Sequence, residues 1–322
     1  MKTDFDALLL VSFGGPEGMD DVIPFLENVL RGRNVPRERM LQVAQHYESF
    51  GGVSPINQQN RNLIAALEKE LEQHGPRLPI YWGNRNWHPL LPDTMRRMAA
   101  DGIRNALAFV TSGYSSYSSC RQYLQNISDA QSAVGPGAPR VEKLRVFYKH
   151  PLFIEANVDH IRAALNQLEE PASAHLVFTA HSIPESMAVN CDYASQLGHT
   201  GALIAREVQV AKWHLVYQSR SGSPMQPWLG PDVCDHLRTL GDEGVKSVVV
   251  APIGFVSDHM EVVYDLDVQA RQVADEIGMK MVRAQTAGTH PSFVRMIREL
   301  IMERVNGEAP VNICAPDCCR IS

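Results

Sequence analysis

The residues best suited to chemistry lie far apart along the chain. His181 closes an apolar, β-branched run, Leu176-Val177-Phe178-Thr179-Ala180, and precedes an Ile-Pro turn. Glu261 stands in the first turn of a helical pattern that also carries Asp265 and Gln269. Positions i, i+4 and i+8 share one helical face, so Glu261 and Asp265 can line one path. Each feature alone has a plain structural explanation. A histidine ending a strand is commonly a satisfied polar group, and acidic residues at a helix start are favoured by its dipole. Their coincidence at strand ends of the same half of the chain carries the argument. An imidazole and carboxylates facing one space suit proton transfer at neutral pH and binding of a borderline divalent metal. The cysteines form a second group. Cys120, Cys191 and Cys234 are scattered, whereas Cys314, Cys318 and Cys319 crowd the last nine residues. Three tail thiolates are one short of a Cys₄ set, which also suits tetrahedral Zn²⁺, and a reactive tail is the remaining option.

The elements that must position these groups follow from periodicity. Strands are expected at residues 6–13, 78–84, 105–111, 144–148, 175–180, 213–219, 245–252 and 279–283. Helical patterns lie between them, at 57–74, 91–100, 154–168, 201–211 and 231–241, with a last one at 290–305. Strand–helix alternation predicts parallel sheets covered by helices on both faces, with right-handed crossovers. Four strands before residue 150 and four after it predict an α/β protein of two similar doubly wound lobes. These are residues 1–150 and 151–322, the second with a cysteine-bearing tail, and the last helix can dock on either lobe. Ligands of open parallel sheets bind beyond the carboxyl ends of the strands. Six polar loops at that edge, three per lobe, predict a ligand cleft between the lobes.

Composition removes several classes of function. With 30 Lys and Arg against 36 Asp and Glu, the net charge is −6, and no basic surplus points to nucleic acid. The apolar runs near residues 7–13 and 247–256 are far too short to span a membrane. The start, Met1-Lys2-Thr3-Asp4-Phe5-Asp6, has no signal core, so a cytoplasmic globular protein is expected, where six cysteines do not form a disulfide scaffold. Gly14-Gly15 lacks the third glycine of a dinucleotide fingerprint, and there is no GxxxxGK[ST] phosphate loop. Gly51-Gly52-Val53-Ser54-Pro55-Ile56 reads either as a turn with Ser54 capping the next helix or as a ligand contact.

Six stretches taken together resemble the ferrochelatases, which insert Fe²⁺ into a porphyrin. They are Leu8-Leu9-Leu10-Val11-Ser12-Phe13-Gly14-Gly15-Pro16-Glu17, then His46-Tyr47-Glu48 through Ile56, and Trp87-His88-Pro89. In the second half come Phe178-Thr179-Ala180-His181-Ser182-Ile183-Pro184, Gln226-Pro227-Trp228-Leu229-Gly230-Pro231, and Pro252-Ile253-Gly254-Phe255-Val256-Ser257-Asp258-His259-Met260-Glu261. The resemblance implies a chelatase-type fold. It makes His181 and Glu261 the iron-site residues, and Asp265, on the same helical face as Glu261, is expected to join them in catalysis. It also implies porphyrin contacts at Phe13, Tyr47, Ser54 and Tyr123, with Arg31 or Arg33 meeting propionates. Phe13 stands where some relatives place an iron-ligating tyrosine, and phenylalanine cannot ligate.

Some ferrochelatases carry a [2Fe–2S] cluster on one mid-chain and three C-terminal cysteines, and the actinobacterial type matches Ser118-Ser119-Cys120-Arg121-Gln122-Tyr123. The resemblance therefore implies Cys120, Cys314, Cys318 and Cys319 as cluster ligands and leaves Cys191 and Cys234 as ordinary thiols. The region 17–35 is mixed, with Asp20, Asp21, Arg31 and Arg33 among its apolar residues, and offers no apolar lip for lipid. A soluble enzyme without stable membrane insertion suits coproporphyrin III, and the Fe-coproporphyrin product would pass to a coproheme decarboxylase. The alternatives are a protoporphyrin IX ferrochelatase, a cobalt chelatase of similar fold, and, more remotely, a non-catalytic haem or porphyrin carrier.

Overall fold

A computed structural model describes residues 4–32, 35–221, 225–308 and 318–320. The first sheet consists of β1 (Ala7–Ser12), β2 (Ile80–Asn84), β3 (Asn105–Val110) and β4 (Arg140–Lys143) in the order β2-β1-β3-β4, all parallel. β1 is buried at every position because helices cover both faces of the sheet, which is why it reads as an unbroken apolar run. Each fully buried leucine of Leu8-Leu9-Leu10 contributes about 1.5–3 kcal/mol relative to exposure. The edge strand β4 is Arg-Val-Glu-Lys and half exposed.

The second sheet consists of β5 (His175–His181), β6 (Trp213–Gln218), β7 (Ser247–Ala251) and β8 (Lys280–Arg283) in the order β6-β5-β7-β8, again all parallel. The two sheets thus share one strand order. In each, the order reverses beside the first strand, so the crevice of the second sheet opens beyond the ends of β5 and β7.

The fourth strand differs from expectation. It forms at Arg140–Lys143; Leu144 N still donates to the Ala108 carbonyl of β3 at 2.8 Å, and residues 145–148 leave the sheet. Leu144, Val146 and Phe147 are buried, but the N–H groups of Phe147 and Tyr148 both donate to the Gly113 carbonyl, at 3.2 and 3.1 Å. A short apolar run marks burial, and burial does not require a strand.

Helices Met19–Leu30, Arg37–Glu48 and Gln122–Val134 were not expected from periodicity. The expected helix at 201–211 begins at Tyr193 and stops at Val208, where Gln209 turns left-handed at φ 59°. Helix Ile56–His74 presents Leu63, Leu67 and Leu71 to the core and ends at Gly75, which takes φ 65°.

The chain forms two compact units, one around each sheet. Residues 112–121 and the described tail, 318–320, belong with the second sheet, and the last helix, Pro291–Val305, passes to the first unit from Ile297 onward. There Arg298 donates to the carbonyls of His74 and Gly75, each at 2.8 Å, Arg145 forks onto Glu303 with both contacts at 2.7 Å, and Arg304 pairs with Glu142. No helix among the described residues is long and apolar enough to cross a membrane.

Candidate active site

His181 is the last residue of β5, where the buried strand meets the crevice, and its side chain is 31% exposed. The ring Nδ1 donates to the Ser182 carbonyl, which leaves Nε2 to face Glu261 Oε2 at 3.6 Å. The backbone here is held on several sides. Tyr193 donates its hydroxyl to the His181 carbonyl at 3.1 Å, Ser182 N donates to the Gln218 carbonyl at 2.8 Å, and Ser182 Oγ donates to the Leu229 carbonyl at 2.7 Å.

Glu261 arrives on the segment after β7. Gly254 N donates to the Thr179 carbonyl at 3.0 Å, which sews this loop to β5. A Cβ at Gly254 would lie 2.5 Å from the Ala180 Cβ and 2.7 Å from its Cα, so only glycine fits against the residue preceding His181. The substitution Gly254→Ala is therefore expected to cost about 1–3 kcal/mol through overpacking. Urea unfolding reads this directly, and an unchanged midpoint would show that the contact yields.

His259 caps the helical turn Met260–Val262, its Nδ1 accepting from Glu261 N at 3.2 Å, while Gln218 Nε2 donates to the Glu261 carbonyl at 2.7 Å. The turn then widens into a π-helix, Val263–Ala270, a conformation frequent at functional sites. Two carboxylates on it are anchored differently. Asp265 accepts from the hydroxyl of Ser219, whose backbone adopts a left-handed φ of 62°, and Asp267 accepts from Arg283 Nε at 2.6 Å. Arg283 also donates to Asp258 at 3.2 Å, so one guanidinium at the end of β8 clasps residues on both sides of Glu261. Asp265 further lines a cavity of about 370 Å³ with Gln218, Ser219, Cys234, Gln269 and Glu276.

The electrostatics separate the titrating groups. Burial pushes the His181 pKa down, but the charge and hydrogen bond of Glu261, with the Ser182 carbonyl and Asp265, outweigh it and raise it to about 9. Burial raises Asp265 to about 7 despite its bond from Ser219, with Glu261 adding to the rise. Burial lowers His259, and His181 lowers it further, although Glu261 opposes both. His181 thus rests as an imidazolium paired with Glu261, while Asp265 exchanges a proton near neutrality.

Both raised values carry the same sign for folding. Folded Asp265 retains a proton that the unfolded chain loses above 3.8, so stability falls as pH rises toward about 7. The His181 contribution is complete below 6.5 and is lost as pH rises through about 9. Wild-type protein is expected to be less stable at about pH 8 than at about pH 5, with Asp265→Asn reducing the difference. Urea unfolding at both pH values checks this, and a variant keeping the full difference would exonerate Asp265.

In the first unit, Phe13, Tyr47 and Trp87 surround the buried ring of Phe25 at centroid separations of 6.2, 6.0 and 6.2 Å. The Arg85 guanidinium lies over both Phe13, at 5.6 Å, and Tyr123, at 5.2 Å. Tyr47 and Tyr123 are largely buried, and exposed Arg31 donates to Asn28. Arg33 lies outside the described residues. Ser54 is buried, donates its N–H to the Pro16 carbonyl at 2.9 Å and packs against Gly15. It does not cap the helix, whose N-cap position is Pro55 with no side-chain bond, because the chain takes one further residue to turn into the helix.

Among the expected sulfur ligands, Cys120 and Cys319 are buried and Cys318 is half-buried, all in the second unit, and Cys314 lies outside the described residues. Arg121 Nη1 donates to the Cys318 carbonyl at 3.0 Å, which ties the Cys120 segment to the tail. Burial raises the Cys319 thiol, and Cys318, Cys191 and Cys120 add to it. The described cysteines are all free thiols, and no three His, Cys, Asp or Glu side chains among the described residues are grouped to hold a metal ion.

Sequence reasoning missed Gln218, Ser219, Tyr193 and His259 as supports of the site and Arg85 and Phe25 as partners of the aromatic group. His259 stands within the Ser-Asp-His-x-Glu motif, and Gln218-Ser219 is a polar end to an apolar strand. Both signals were present.

A family model described as Ferrochelatase matches residues 5–305. A ferrochelatase of Rhodopirellula baltica is 56% identical, the match covering 98% of this chain and 93% of that protein. A coproporphyrin III ferrochelatase of Streptomyces griseus is 52% identical over 94% of this chain and 86% of that protein, and one of Nocardia farcinica is 50% identical over 98% and 96%. Among solved structures, SirB from Bacillus subtilis with Fe³⁺ aligns with TM-score 0.58 at 11% identity, covering 95% of this chain and all of that one (100%). CbiX, a terminal enzyme of siroheme biosynthesis, aligns with TM-score 0.54 at 14% identity, covering 92% and 98%. These two likenesses concern the fold alone, and that fold is chelatase-type.

Proposed function

The chain belongs to the ferrochelatase family, and from that premise we propose that it inserts Fe²⁺ into coproporphyrin III. The products are Fe-coproporphyrin III and the two pyrrole protons. One observation carries the catalytic assignment: His181 Nε2 stands 3.6 Å from Glu261 Oε2 at the crevice of the second sheet, with Asp265 acting on the same imidazole. The porphyrin assignment is supported by the names of the Streptomyces and Nocardia relatives.

The chemistry requires a base for the pyrrole protons and a donor set for a dication that sheds its water. His181 supplies an imidazole whose basicity Glu261 raises, and in its neutral form it takes a pyrrole proton or holds iron at Nε2. Glu261 offsets the charge of either the proton or the metal. Asp265, poised near neutrality, receives a proton from the His181–Glu261 pair and releases it toward the adjoining cavity. Phe13, Tyr47, Ser54 and Tyr123 are proposed to contact the macrocycle and Arg31 a propionate. Binding energy from such remote contacts can offset the cost of bending the ring.

The tail is proposed to hold a [2Fe–2S] centre through Cys314, Cys318, Cys319 and a mid-chain cysteine, Cys120 in the sequence reading. What supports the reading is that Cys120, Cys318 and Cys319 are free thiols and that Arg121 ties the Cys120 segment to the tail. Such a centre has two irons, each needing only a pair of thiolates, so it does not require three donors about one ion. When bound, it supplies one-electron chemistry. The enzyme is proposed to work in the cytoplasm and to hand its product to a coproheme decarboxylase.

Anaerobic turnover with coproporphyrin III and protoporphyrin IX tests the proposal, followed by loss of porphyrin fluorescence. Faster turnover of coproporphyrin supports it. Preference for protoporphyrin would move the assignment to that substrate, and binding without turnover of either would mark a carrier.

A further inference from the structure

We propose that Gln218 and Ser219, the dipeptide at the end of β6, are positioning residues for insertion that hold His181, Glu261 and Asp265 in register. The inference rests on the reading of those three as the residues that handle iron and protons, and it assigns what sets their mutual placement.

Gln218 stands between the segments that carry the imidazole and the carboxylate. It pairs with His181 in the parallel register of β5 and β6, and its carbonyl accepts from Ser182 N at 2.8 Å. Its side chain, in a residue 1% exposed, reaches the other way, Nε2 donating to the Glu261 carbonyl at 2.7 Å. One residue therefore grips the chain beside His181 through its backbone and the chain at Glu261 through its amide. Among the described residues its Oε1 makes no hydrogen bond. An apolar side chain of equal length would fill this space without burying an unsatisfied acceptor. Packing thus does not call for an amide here, whereas holding the Glu261 carbonyl does.

Ser219 extends the grip by one residue. Successive residues of a strand point to opposite faces, so an extended Ser219 would direct its side chain away from the segment that Gln218 reaches. Its backbone instead takes the left-handed φ of 62°, and the hydroxyl donates to Asp265. Glycine or asparagine suits that conformation better than serine, so the hydroxyl is what serine adds. A conformation of this kind persists only where its surroundings enforce it. Here β6 is the edge strand, and just before the dipeptide Tyr217 N donates to the Pro231 carbonyl at 2.9 Å. A parallel bridge from Tyr217 to Asp232 secures the same edge. All three catalytic side chains thus take their places from two adjacent residues that touch none of the reacting atoms.

The test uses full-length wild type and the variants Ser219→Gly, Ser219→Ala, Ser219→Asn and Gln218→Met. Anaerobic insertion of Fe²⁺ into coproporphyrin III is measured with kcat and KM separated, and crystal structures of the same proteins locate the three side chains. Ser219→Gly, Ser219→Ala and Gln218→Met are expected to lose about tenfold to a hundredfold in kcat, as misplacement by about 1 Å does. The KM for the porphyrin should stay within about twofold, because the ring itself is bound as before. Ser219→Asn, which accepts the left-handed backbone and offers an N–H donor, should recover to within about threefold of wild type. In Gln218→Met the separation of His181 Nε2 and Glu261 Oε2 should widen from 3.6 Å by about 1 Å. Wild-type kcat in Ser219→Gly would show that only the shape of the backbone matters and overturn the role of the hydroxyl. A raised KM with unchanged kcat would mark a binding role and overturn the inference, as would an unchanged separation in Gln218→Met. Because Ser219→Gly relaxes the backbone, loss of turnover there is not a consequence of misfolding. Wild type that inserts no iron overturns the functional reading, while the separations in the crystals still decide the positioning.

Discussion

His181→Ala is expected to lose iron insertion by about 10²–10⁴-fold while binding coproporphyrin with little change. The loss follows from position. His181 ends β5 at the crevice, its Nδ1 is committed to the Ser182 carbonyl, and its Nε2 is the ring nitrogen that faces Glu261. His259 has a different place. Its Nδ1 lies 3.8 Å from Glu261 Oε2 but already accepts the Glu261 N–H, and its ring packs edge-on against Phe255 with centroids 4.9 Å apart. Insertion is followed by the change in visible absorption and binding by fluorescence quenching. Substantial residual turnover in a folded variant would remove His181 from the reaction.

Glu261→Gln is expected to cost insertion about 10²-fold or more and to alter its pH dependence. Glu261 contributes both charge and hydrogen bond to the elevated His181 pKa, and without them burial, which opposes the charged imidazolium, dominates. In wild type, the neutral imidazole needed to take a proton or metal becomes abundant only as pH rises toward about 9. In the variant that limb moves to lower pH. The neutral imidazole is then more abundant at pH 7 but less basic, and the carboxylate that offsets the incoming charge is gone. NMR titration of the His181 ring in both proteins reads the shift without reference to turnover. A ring that titrates unchanged would show that Glu261 does not govern it.

The parts of this arrangement that are legible from sequence are those with strong pattern. β1 and β5 are buried along almost their whole length and read as near-continuous apolar runs because both faces are covered, so their ends, and with them His181, are found readily. Glu261 and Asp265 share a side of their helix at four-residue spacing, and both act on His181 in the fold. The π-helix is another matter, because its widened turn changes pitch without changing residue type. Helix Met19–Leu30 carries Pro24 in its interior, a residue that ordinarily marks a break. Met40, Ala44 and Tyr47 give helix Arg37–Glu48 an i, i+4, i+7 buried face, but its many polar residues dilute the pattern.

The clasp made by Arg283 has a consequence for how the protein comes into being. Arg283 is the final residue of β8, and its two carboxylate partners bracket Glu261. A nascent chain in which residue 283 has not yet emerged carries His181, Glu261 and Asp265 and can hold the last two through Gln218 and Ser219, but it lacks the clasp on Asp258 and Asp267. The clasp on either side of Glu261 is therefore among the last contacts of the second sheet to form as the chain is made.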